Sequence, residues 1–306
     1  MCLIRLEPAY QHYVWGGKRI PEYFHRSLPA GKYAESWEVS DRSEGMSKIA
    51  SGSLRGKTFS EWLKAEKEKG VGIGKSWEKF PILVKIIDSS EHLSVQVHPD
   101  EKIAERLGGE PKSEAWIALE KSTVYVGFKE GVTQDQFVKA RDTKHVESLL
   151  NQVVLEKGEG IYIPAGQIHA VCAGAFLLEV QQNSNTTYRV YDWGRIGREL
   201  HWEEAMAAIH WNSAQPLKIK PNFIQADGHH RTEGFVSTPY FTIDRLEIGD
   251  RWQIKSHKKT CQILFCMQGH PIIENEKAAP GMTYLVPATA PLISIEGASQ
   301  WIVINL

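Results

Sequence analysis

A mainly β fold is what this 306-residue sequence predicts: two similar β-barrels of the jelly-roll kind in tandem, with a few peripheral α-helices. Three observations predict it. Short apolar runs bounded by turn residues recur along the chain, without the regular intervening helices that a parallel βαβ sheet requires. Only four segments, 58–69, 100–107, 133–150 and 201–210, carry a helical spacing of apolar residues. Finally, the stretch from Gly158 to Pro164-Ala165 is echoed from Gly281 to Pro287-Ala288, each with a glycine, five residues and then Pro-Ala. An internal echo implies a repeated unit.

The strand candidates, in order, are 82–87, 93–97, 123–128, 160–163, 176–182, 241–248, 261–267, 282–286 and 301–306. The helices carry start signals. Thr58 and Glu61 form a capping box, with Phe59, Trp62 and Leu63 on one stripe. Asp100 caps a short helix that Gly108-Gly109 stops. Thr133 and Gln136 open the 133–150 segment, which holds Phe137, Val138, Leu149 and Leu150. Trp202, Ala205, Met206 and Ile209 share one face of 201–210. Trp62, Trp116 and Trp202 lie on apolar faces and belong to the core; Trp15, beside Gly16-Gly17, is the candidate lid or pocket wall. A polar stretch with Pro216 and Pro221 divides the chain, so the expected domains are 1–215 and 216–306.

Lys+Arg number 36 against Asp+Glu at 37, a net charge of −1, which excludes nucleic acid and anionic membrane as main partners but not a small anionic substrate. The apolar share of 42% with 24% charged residues excludes disorder. No apolar run approaches a membrane span. The N-terminus lacks the pattern of a signal peptide. Cys2, Cys172, Cys261 and Cys266 form no C-x-x-C pair, as expected of idle thiols in a reducing cytosol. A cytoplasmic monomer or weak homo-oligomer is expected.

Chemistry concentrates in three places. In Leu93-Ser94-Val95-Gln96-Val97-His98-Pro99-Asp100, strand alternation puts Gln96 and His98 on one face near the strand end, suited to ligating one metal ion. In Pro164-Ala165-Gly166-Gln167-Ile168-His169, a Pro-x-Gly turn returns His169 into a barrel interior. In Lys112-Ser113-Glu114-Ala115-Trp116, Glu114 sits on an otherwise apolar strand, where burying a carboxylate is costly unless it is paired or bound to a metal. Two imidazoles, a carboxylate and an amide oxygen suit Zn²⁺ and leave room for water or substrate. The other histidines show no ligand spacing, and His229-His230 reads as a loop. Leu292 takes the place of His169 in the second copy, so the C-terminal unit is expected to bind no metal.

These residues carry a resemblance. Gln96-Val97-His98-Pro99-Asp100, Lys112-Ser113-Glu114, Pro164-Ala165-Gly166-Gln167-Ile168-His169-Ala170 and the run from Leu178 to Arg189 resemble, in this order, blocks of the type I mannose-6-phosphate isomerases of short microbial form, in the cupin superfamily. Tyr13-Val14-Trp15-Gly16-Gly17 and Ala34-Glu35-Ser36-Trp37-Glu38 add to it. The likeness covers about residues 1–210 well; beyond them it is only that of a β domain. It implies tandem cupin-like barrels and an enzyme interconverting mannose 6-phosphate and fructose 6-phosphate through an enediol or enediolate. It also implies that Gln96, His98, Glu114 and His169 bind one zinc ion. Arg189 falls on the family's active-site arginine, and Lys85, Lys112 and Glu179 on positions lining its active site. The added helical domain of long eukaryotic members has no counterpart here.

Arg189 and Lys112 are the expected substrate-binding cations, Arg189 serving the phosphate or the enediolate. For proton transfer the candidates are Glu179, whose apolar setting should raise its pKa, and Lys85, whose burial should lower it. The alternative for both is a buried ion pair with each other or with Glu114. Two other functions compete: a non-catalytic cupin regulator that binds a sugar phosphate, and an iron-dependent cupin oxygenase. The oxygenase accounts for neither Arg189 nor the lysines.

Overall fold

Side-chain alternation along the strand Ile82–Asp88 sets the layering. Ile82, Val84 and Ile86 turn one way and pack with Ile263, Phe265 and Ile304. Ile87 turns the other way, among Leu93, Val126 and Val171. The computed structural model describes residues 3–75, 77–141, 143–213, 215–255 and 259–306. Within them the strands form four sheets, and every strand pair in the registers below is antiparallel.

The first barrel has two facing sheets. One holds six strands in the order Gly160–Ile163, Glu114–Ala118, Phe176–Gln182, Ile82–Asp88, Glu35–Val39 and Ala9–Gln11. The other holds five: Tyr188–Tyr191, Val95–Val97, His169–Val171, Ser122–Phe128 and Leu150–Leu155. The second barrel pairs an eight-stranded with a four-stranded sheet. The fold is thus mainly β, with two cupin-like barrels and short helices, as the sequence predicts. Strand pairing does cross position 215/216. Ile4–Glu7 hydrogen-bonds to Thr283–Val286 in the register Ile4↔Leu285, so the first strand of the chain lies in the large C-terminal sheet.

The repeat is structural. Gly158 and Gly281 both adopt left-handed backbone, at φ 81° and 82°. They precede the equivalent strands Gly160–Ile163 and Thr283–Val286. Leu292 stands just before Ile293–Glu296 and is half exposed.

The helix Phe59–Val71 has the expected capping box: Glu61 N–H donates to Thr58 Oγ1 at 3.2 Å, and Thr58 N–H to Glu61 Oε2 at 2.7 Å. Thr58→Ala should lower the unfolding free energy by about 1 kcal/mol. Urea denaturation measures this, and an unmoved midpoint would discount the cap. Asp100 caps Glu101–Leu107, which ends on left-handed Gly108. The single helix expected over 133–150 is instead two, Gln134–Lys139 and His145–Ser148. Thr143 Oγ1 donates to Ala140 O at 2.7 Å, and that local side-chain bond replaces helix continuation. Leu150 already begins a strand. The loop expected at His229-His230 is only half a loop, since His230 opens the strand His230–Ser237.

Trp62 and Trp202 lie in separate cores. Cys172, Cys261 and Cys266 are buried free thiols. Cys2, His257 and the boundary residue Ala214 lie outside the described residues. No described helix is long and apolar enough to cross a membrane.

Candidate metal centre and substrate cavity

Cross-strand register builds the site from two facing rows. In the five-stranded sheet, Gln96 pairs with His169 on one side and Arg189 on the other. In the six-stranded sheet, Glu179 pairs with Trp116 on one side and Lys85 on the other, and Lys85 with Trp37 beyond it. Directly opposed residues share a face. Side chains from both rows line one cavity of about 360 Å³ between the sheets. Trp15 closes one wall: a Cβ on neighbouring Gly17 would lie 2.3 Å from the Asp88 carboxylate, so only glycine lets this segment press so closely on the sheet.

His98, Glu114 and His169 are buried, and their ligating atoms all lie within 4.8 Å of one another. His98 Nδ1 is 2.9 Å from Thr186 O, and His169 Nδ1 is 2.8 Å from Gln167 O. A carbonyl only accepts, so each Nδ1 carries the proton and each Nε2 presents a lone pair. His169 Nε2 then stands 3.3 Å from Glu114 Oε1, and His98 Nε2 stands 3.8 Å from Glu114 Oε2. Glu114 Oε1 accepts no hydrogen bond. Three buried acceptors facing one another repel unless a cation lies among them. Lys112 already leans in, its Nζ 2.8 Å from Glu114 Oε2 and 3.1 Å from His98 Nε2. The donor set therefore fits a divalent metal, with the Nδ1 contacts fixing both rings. Gln96 is adjacent but turns its amide nitrogen to His169 Nε2, 3.3 Å away, while Ser94 donates to its oxygen. Ligation by Gln96 requires rotation of the amide.

From Glu114, charges alternate across the cavity floor. Lys112 Nζ is 3.4 Å from Glu179 Oε1, Lys85 Nζ is 3.2 Å from the same oxygen, and Lys85 is also 3.4 Å from Glu35 Oε1. Trp116 Nε1 donates to Glu179 Oε2 at 3.0 Å. This array reverses two expectations. Burial opposes ionisation of Glu179, but Lys112 and Lys85 outweigh it and hold that carboxyl well below the usual range. Burial likewise opposes the charge on Lys85, yet Glu179 and Glu35 overcome it and raise its pKa. The expected alternative, a buried ion pair between the two, is what forms. It is Glu114 that is pushed up, by burial and then by Glu179. Burial lowers His169 to about 4, and burial with Lys112 keeps His98 well below its ordinary value, so both rings are neutral.

Arg189 lines the same cavity. Its Nη1 donates to Glu199 O at 2.6 Å, whereas its buried Nε has no partner. Burial, and then the charge of Arg198, pull its pKa below the ordinary value.

The family model "Phosphomannose isomerase type I, catalytic domain" matches residues 3–125. The mannose-6-phosphate isomerase of Streptococcus mutans is 33% identical over 260 residues, covering 81% of this chain and 78% of its own. The chain belongs to the type I phosphomannose isomerase family. Mannose-6-phosphate isomerase ManA of Bacillus subtilis is 27% identical over 313 residues, with 98% of each chain covered. The crystal structure of a Bacillus subtilis mannose 6-phosphate isomerase superposes with a TM-score of 0.91 at 28% identity, over the whole of both chains.

In this family member the structure gathers all the residues singled out from sequence, Gln96, His98, Glu114, His169, Lys85, Lys112, Glu179 and Arg189, around one cavity. Sequence reasoning missed Glu35, Arg198 and His201, which also line it. Glu35 lay in a segment quoted for its resemblance, and a carboxylate beside Trp37 in a run this buried was the available signal. Arg198 had none, since it belongs to no periodic pattern, and His201 only opens the 201–210 segment, off its apolar face. Trp116 is core by burial and cavity wall by position.

Proposed function

We propose that this chain interconverts mannose 6-phosphate and fructose 6-phosphate with one zinc ion, through an enediol or enediolate. The observation that carries the reading is the cluster of mutually facing buried acceptors, His98, Glu114 and His169, in contact with Gln96 and Lys112, which line one cavity together with Arg189. The names of the family and of its relatives support the substrate.

Gln96, once its amide rotates, would hold the metal together with His98, Glu114 and His169. When bound, zinc supplies Lewis-acid stabilisation of the oxygen that becomes anionic as the C–H bond breaks. Lys85 stays an ammonium and donates a hydrogen bond to a substrate oxygen gaining charge. Glu179 takes the proton from C2 and returns it to C1; as substrate oxygens draw the ammoniums of Lys85 and Lys112 away, its basicity rises. Arg189 and Lys112 bind the substrate, with the guanidinium fork matched to phosphate oxygens. Residues 1–215 carry this chemistry, and 216–306, with Leu292 at the place of His169, bind no metal. The near-zero net charge suits a cytoplasmic monomer or weak homo-oligomer acting on a small molecule, with no nucleic-acid or membrane partner.

A coupled isomerase assay with elemental analysis tests the reading. Purified protein should hold stoichiometric zinc, lose turnover in a chelator and regain it on zinc addition. Zinc-loaded protein that binds sugar phosphate without turning it over would leave the regulator instead.

A further inference from the structure

Two arginines, Arg189 and Arg198, line the cavity, and Arg198 shares one buried carboxylate with a third, Arg195. Asp192, only 3% exposed, accepts from Arg195 Nη2 at 2.7 Å and Arg198 Nη1 at 3.0 Å through the same oxygen, Oδ1. Arg195 has a second carboxylate, Glu91, at 3.4 Å. Arg198 makes its ion pair with Asp192, and Arg189 donates from Nη1 to a backbone carbonyl while its buried Nε is unpartnered. Arg189 and Arg198 both line the cavity. Two guanidiniums facing one space, with half a carboxylate between them, leave an excess of positive charge. A phosphate dianion has the charge and the oxygens to neutralise it.

The backbone around them suits an arginine that changes partners. Trp193 holds a left-handed φ of 56°, which costs a non-glycine residue of order 1–3 kcal/mol. It is pinned by Nε1 donating to Leu93 O at 2.6 Å, and its ring packs on His92 at 4.4 Å. That anchor fixes Asp192 next to it. Beyond it the chain runs on the surface: Gly194 and Gly197 have φ of 78° and 93° with open space where a Cβ would be, and Ile196 is fully exposed. Arg198 follows Gly197, and its side chain is 31% exposed.

We propose that Arg198 is a second phosphate-binding guanidinium of this cavity, held by Asp192 until the substrate's phosphate takes it over. This rests on the sugar-phosphate reading above and deepens it: Arg198 becomes a specificity residue that selects phosphorylated sugars. Asp192 orders the side chain beforehand, and the Arg195–Glu91 contact leaves Arg195 supported when Arg198 leaves.

The test is Arg198→Ala beside Arg198→Lys. Because the side chain is partly exposed, alanine opens no buried cavity. Arg198→Ala should raise KM for mannose 6-phosphate about 30-fold, the scale of one lost charge-assisted contact, with a far smaller change in kcat. Calorimetric binding of inorganic phosphate should weaken by a similar factor. Lysine, a point charge without the fork, should fall between. Unchanged KM and phosphate affinity, or a loss confined to kcat, overturns the proposal. Wild-type turnover judges the isomerase reading by itself, and phosphate calorimetry judges Arg198 even without turnover.

Discussion

His98→Ala and His169→Ala should each strip the protein of stoichiometric zinc and of nearly all turnover. Both rings are buried, and both are aimed through Nδ1 contacts to backbone carbonyls, so each alanine removes one fixed lone pair from the cluster. Glu114 would then keep a repelled, partnerless oxygen on a half-assembled site. A Lewis acid contributes several kcal/mol to a developing oxyanion, and about 1.4 kcal/mol is a factor of ten in rate. The expected fall in kcat/KM is therefore about 1,000-fold or more. Metal analysis and the coupled assay read the two losses together. A variant that keeps full turnover removes its residue from the site.

Arg189→Ala should cut kcat/KM by about 100-fold while the metal stays bound, the scale of one or two hydrogen bonds to a charged group. Arg189 stands across Gln96 from His169 in the sheet, so its removal leaves the His98–Glu114–His169 cluster untouched. The loss should appear in kcat as well as KM, because Arg189 lies one strand from the metal ligands. That split sets it apart from Arg198. Unchanged kinetics would refute the assignment of Arg189 to the substrate.

Much of this site was legible in the chain because strand periodicity is a strong constraint. Gln96 and His98 share a face by alternation, Glu114 stands out on an apolar strand, and the Pro164–Gly166 turn aims His169. What failed was whatever depended on partners distant in sequence. Glu179 and Lys85 were each judged from flanking apolar residues, which give the desolvation and hide the pairing. Placed opposite each other in register, the two reverse each other's shift. The strand Glu35–Val39 escaped because a wholly buried segment with Glu35 and Glu38 follows no alternation. Its charges are legible only with their neighbours: Glu35 meets Lys85, and Glu38 takes Arg26 at 2.9 Å and the Thr283 hydroxyl at 3.0 Å. The 133–150 helix broke where a threonine hydroxyl offered its backbone another partner.

The strand Ile4–Glu7 carries a consequence for how the protein is made. It finds its place beside Thr283–Val286, in the register Ile4↔Leu285, only after all the intervening sequence has been made. Contacts so remote in sequence slow folding. Until that pairing closes, Thr283–Val286 offers a bare edge to other nascent chains, and such edges invite aggregation. Assembly of the C-terminal sheet is therefore a late step of biogenesis, and a strand made long before its partner seals it.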